Sequence, residues 1–73
     1  MLIQIKRAPG DRYIVRGRWG GTAFERIGFV RQDKNHWNAV DTFMEQSQDF
    51  KTRRLAVEWL AKIAEERKDE IWE

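Results

Sequence analysis

The stretch 13-YIVRGRW-19, closed by Gly20 and Gly21, decides how the rest of this 73-residue chain is read. As a strand it sends Ile14, Arg16 and Arg18 to one face and Tyr13, Val15 and Trp19 to the other, because successive side chains alternate. The second set suits a buried layer. The two neighbouring arginines need water or a partner.

The flanks extend the pattern. Leu2 to Lys6 is a weakly alternating, β-prone segment stopped by the loop Ala8-Pro9-Gly10-Asp11. Gly20-Gly21 in "WGGT" carries a hairpin signal, and the following strand is expected from about Thr22 to Arg31. Within it, strict alternation of "FERIGFV" pairs Ile27 with Phe29 and Phe24 with Val30. Gly28 there signals a bulge or a close approach, with burial expected on both sides. The polar "QDKNH", residues 32–36, reads as a turn, Trp37 to Phe43 as a further strand, and Met44 to Asp49 as a loop or a poor edge strand.

From Thr52 the period changes. Thr52 is a suitable N-cap, and no Gly or Pro interrupts Arg53 to about Trp72. Steps of 100° gather Leu55, Ala56, Trp59, Leu60, Ile63, Ala64 and Ile71 on one face, with Glu58, Lys62, Glu65, Glu66 and Asp69 opposite. The expected fold is α+β: residues 1–73 form a single domain, a three- or four-stranded antiparallel sheet packed on one long C-terminal helix. With one helix available, the sheet's other face stays uncovered.

Composition narrows the function. The absence of cysteine excludes disulfides and thiolate metal sites. His36, the sole histidine, falls in an expected surface turn, so a histidine-based triad or multi-histidine metal centre has no material. No GxxxxGK loop is present, and acidic pairs such as Glu65-Glu66 lie on the solvated side of the helix. The expectation is a non-enzymatic protein without cofactor or metal. The opening MLIQIKRAPG is too short in apolar residues for a signal peptide, and no run is long enough to span a membrane, which points to a cytoplasmic protein.

The net charge of +2 hides a division. Residues 1–54 carry eleven Lys and Arg against six acids, whereas residues 55–73 carry three against six. The basic half is the expected sheet, which suits a polyanion. Arg16, Arg18 and Arg26 from the paired strand form a plausible readout row, with Asn38 and Thr42 from the next strand beside it. Guanidinium forks match phosphate oxygens or a guanine edge. The alternative makes these arginines cross-strand partners of Glu25 and Asp41. Trp19 and Trp37 are candidates for stacking on bases, or else core residues, while Trp59 is core. Arg53 and Arg54 oppose the helix dipole at its start, so either a bound phosphate or pairing with Asp49 or Glu58 is expected to offset them. Trp72 is a candidate lid or dimer contact.

"WNA" at Trp37 to Ala39, followed by "FKTRRLAVEWL" at Phe50 to Leu60, resembles the core of AP2-type and integrase amino-terminal DNA-binding domains. The resemblance covers roughly the second half of the chain. It implies a three-stranded antiparallel sheet on one helix, reading DNA through arginines and tryptophans of the uncovered face. It also implies that Trp37 and Ala39 lie on the middle strand, that Phe50 ends the last one, that Thr52 caps the helix and that Ala56 packs on the sheet. Similar short sequences occur in phages and mobile elements. "TFMEQSQD" departs from the pattern in lacking the turn glycine and an apolar strand, and the amino-terminal strand is additional. The reading is a module binding double-stranded DNA, a monomer or homodimer. The alternative is a phage-encoded inhibitor that docks on a host protein.

Overall fold

The computed structural model describes residues 1–21, 23–42 and 46–67. Five strands, β1 (Leu2–Ala8), β2 (Arg12–Arg18), β3 (Glu25–Asp33), β4 (His36–Asp41) and β5 (Ser47–Phe50), precede one helix, α1 (Arg53–Glu66). The strands form an antiparallel meander in the order β1-β2-β3-β4-β5, with α1 packed on one face, so the fold is α+β as the sequence indicates. There are five strands rather than three or four. The additional strand is β5: its residues Ser47–Phe50 have no hydrophobic alternation to announce them, and pairing with β4 supplies their order.

The turns follow local chemistry. Gly10 and Asp11 take φ of +80° and +56° between β1 and β2, and Lys34 takes +54° in the two-residue link from Asp33 to His36. The expected turn over 32–36 is therefore narrower, with Gln32, Asp33 and His36 in strands. The link from β2 to β3 is wider than a tight Gly-Gly hairpin, since pairing resumes only at Gly17 with Glu25. The expected strand end at Phe43, together with Thr22, Ile71 and Trp72, lies outside the described residues.

Among the described residues seven side chains make the core: Val15, Ile27, Val30 and Ala39 from the sheet, and Ala56, Leu60 and Ala64 from α1. Tyr13, Trp19, Trp37, Phe50, Val57 and Trp59 pack around them. The i, i+4, i+8 spacing of Ala56, Leu60 and Ala64 centres the inward stripe roughly 40° round the helix from the middle of the expected apolar face. Leu55 consequently stands exposed, and Val57, absent from the expected stripe, turns inward. Thr52 caps the helix, its Oγ1 accepting from the Leu55 N–H at 3.2 Å.

A bulge in β3 overturns the expected alternation. Val15 pairs with Gly28 but Arg16 pairs with Arg26, so Ile27 is the extra residue. Ile27 is fully buried in the core with Val30 rather than sharing a face with Phe29. Gly28 beside it meets the helix closely, as a Cβ there would lie 2.7 Å from a Leu60 methyl and 2.5 Å from the Val40 carbonyl oxygen. Both readings of that glycine, bulge and close approach, apply at once.

Candidate nucleic-acid interface

Register assigns each side chain to a layer. Across β1 to β3 the helix-free face carries Lys6, Arg12, Arg16, Arg18, Arg26 and Arg31, with Ile14 and Phe29 among them. Arg16 and Arg18 stand there by alternation along β2. Arg26 stands there because of the bulge: in strict phase with Val30 it would point at α1, and the extra residue Ile27 returns it to the open side. Lys6, Arg12, Arg31 and Phe29 were missing from the sequence-derived set. Arg12 lies four residues before Arg16, so beginning the strand one residue earlier would have included it.

Two arginine pairs face one another across the ladder, Arg12 with Arg31 and Arg16 with Arg26. Like charges directly opposite on antiparallel strands cost stability. Among the described residues no carboxylate comes within ion-pair distance of any of the six cations on this face. Aromatic rings hold some of them instead: Arg12 and Arg26 lie over Phe29 at 5.6 and 5.9 Å, and Arg18 over Phe24 at 5.0 Å. Stacking on a ring uses the flat side of a guanidinium and leaves in-plane donors for another group, although Arg12 Nε donates to the Pro9 carbonyl oxygen at 3.3 Å and Arg18 Nε is buried. A hollow of about 190 Å³ lined by Ala8, Pro9, Arg12, Ile14, Arg26 and Phe29 opens between them.

The described acids of this face are Asp33, at the end of β3, and Asp49 on β5, both gathered about β4 residues. The Asn38 Nδ2 donates to Asp49 Oδ1 at 2.9 Å, and His36 Nε2 lies 3.6 Å from Asp49 and 3.7 Å from Asp33. Glu25 and Asp41 are not partners of the arginines. Glu25 pairs with Gly17 and Asp41 with Gly28, both on the helix side, and Asp41 is buried. Thr42 is exposed beyond the end of β4.

The remaining expected site residues belong to the other layer. Trp37 packs on the helix side with its ring 5.9 Å from Tyr13, and Trp19 is half-buried against the core. Arg53 lies over the same aromatic pair, 5.2 Å from Tyr13 and 6.0 Å from Trp37. Such contacts contribute roughly 0.5–1 kcal/mol at an exposed site, similar to the helix-dipole cost of a cation in the first turn. Arg54 pairs with Glu58 at 3.9 Å. The structure thus brings together Arg16, Arg18 and Arg26, and separates them from Trp19, Trp37, Arg53 and Arg54.

Among the described residues no group of three or more His, Cys, Asp or Glu side chains is placed to hold a metal ion, and no helix is long and apolar enough to cross a membrane. Searches against family models, curated proteins and solved structures found no significant match to this chain.

Proposed function

We propose that this protein is a non-enzymatic module that binds double-stranded DNA through the β1–β3 half of its helix-free face. The observation that carries the reading is the two cross-strand arginine pairings, Arg12 opposite Arg31 and Arg16 opposite Arg26, set among six cations with no described carboxylate within ion-pair distance. An arrangement that weakens the isolated fold is explained by a ligand that removes the repulsion, and a row of phosphates does so. Width agrees with this. Three strands span about 10 Å between outer backbones, comparable with the roughly 12 Å major groove, whereas five span about 19 Å. The acidic β4–β5 margin would then face away from the duplex.

The interface comprises Lys6, Arg12, Arg16, Arg18, Arg26 and Arg31, with Trp19, Trp37, Arg53 and Arg54 outside it. The test is fluorescence anisotropy with a labelled duplex over a salt series. Each neutralised phosphate contributes about 0.9 to the slope of log K against log salt. Arg16→Ala/Arg18→Ala/Arg26→Ala should therefore flatten that slope by up to about 3, with an unchanged circular dichroism spectrum. Absence of binding at low salt, or an unaltered slope in the triple variant, would overturn the assignment and favour a protein partner for this face.

A further inference from the structure

The two edges of the sheet are built differently. β5 is four residues long and carries Asp49, a short, charged edge of the kind that resists pairing. β1 is seven residues long, contains no proline and has no irregularity in its register with β2. Its apolar side chains are left in solvent, with Leu2 55%, Ile3 37% and Ile5 40% exposed. Ile3 and Ile5 stand on the helix side, but α1 packs on β2 to β5 and leaves β1 at the rim of its cover. A long, regularly paired edge with three exposed aliphatic side chains is a template for another strand, and its two charges, Lys6 and Arg7, lie in its C-terminal half.

We propose that β1 pairs antiparallel with β1 of a second copy, about a two-fold axis through Gln4, to make a continuous ten-stranded sheet. The sequence of β1 is self-complementary in that register. Gln4 meets Gln4, Ile3 meets Ile5 of the second copy, Leu2 meets Lys6, and Met1 meets Arg7. Each copy then places an Ile–Ile contact on the helix side, while Leu2, on the other face, packs along the stem of Lys6. Arg7 of the second copy arrives beside Met1, whose backbone nitrogen is 3.9 Å from the Glu65 carboxylate, so an acid stands where the incoming cation lands. The two Lys6 side chains start about 14 Å apart, beyond the roughly 8 Å screening length at physiological salt. Centring on Ile5 instead would bring them closer and set Arg7 against Ile3, while centring on Ile3 would shorten the ladder. A perpendicular two-fold keeps both helices on one side and both basic halves adjacent at the centre of the other, with the acidic β4–β5 margins outermost.

This pairing does not depend on DNA binding and is tested without it. Sedimentation equilibrium across concentrations should show the mass rising from 8.8 kDa towards twice that value. Ile3→Lys/Ile5→Lys, which sets four cations along the new ladder, should remain at the single-chain mass with its secondary structure intact. Register is read by cysteine, which the chain lacks. Neighbouring Cα atoms at 4.5–5.5 Å suit a disulfide, so Gln4→Cys should oxidise to a covalent dimer much faster than Lys6→Cys. A single-chain mass up to millimolar protein would overturn the proposal and leave β1 for a strand of another protein. A dimer retained in the lysine variant, or equal oxidation of the two cysteine variants, would also overturn it.

Discussion

Gly28 shows how much a single side chain would cost this fold. Its missing Cβ lets Leu60 and the Val40 carbonyl approach, and neither has room to retreat: Leu60 is fully buried and the carbonyl belongs to the adjacent strand. Gly28→Ala should destabilise by about 1–3 kcal/mol through overpacking. Gly17 offers the control. A Cβ there would come within 2.6 Å of Met1 Sδ, the far end of a flexible chain that can swing away. Urea unfolding should accordingly show Gly17→Ala costing much less than Gly28→Ala. Charge at the residue scale has its own prediction. Arg31→Glu converts the contact with Arg12 from repulsive to attractive, which should raise stability by about 0.2–1 kcal/mol. The same change should weaken duplex binding, so unfolding and anisotropy measurements on this variant are expected to move in opposite directions.

Among the elements, β3 and α1 carry most of the explanation. The bulge at Ile27 reverses the phase of β3, putting Ile27 into the core and Arg26 onto the open face in the same step. A strand read by alternation alone assigns both residues to the wrong layer, because alternation assumes one residue opposite one. The glycine signal was visible in the sequence, but the residue that doubles was not: that depends on where β2 and Leu60 meet β3. In α1, Thr52 stands before two arginines, and the first turn contains no acid. Thr52→Ala therefore removes a cap from a helix start that has no acidic side chain to help it. A loss of about 1 kcal/mol, read by thermal unfolding at 222 nm, is the expected result. Arg53 was legible as a residue that needs an offset. That the offset lies in Tyr13 and Trp37, on strands far away in the chain, was not.

On the scale of the whole molecule, the net charge of +2 conceals a sheet face with a sign gradient, cations over β1–β3 and a His36–Asn38–Asp49 group over β4–β5. Asp33→Asn, at the edge of that acidic group, removes one repulsive charge from a surface proposed to approach phosphates. It should tighten duplex binding severalfold at low salt and hardly at all at high salt, as expected of an exposed charge acting through screened water. The sequence by itself determined the class of this fold and the side of the sheet on which Arg16 and Arg18 stand, because alternation and the helical period are local properties of the chain. It also carried the division of charge between sheet and helix. Only the tertiary structure decided that β5 is a strand, that a bulge is what brings the expected Arg26 beside Arg16, and that Trp37 and Arg53 belong with the helix. Each of those depends on a partner distant in sequence: a neighbouring strand for β5, a bulge in the pairing with β2 for Arg26, and a shared aromatic cluster for Trp37 and Arg53.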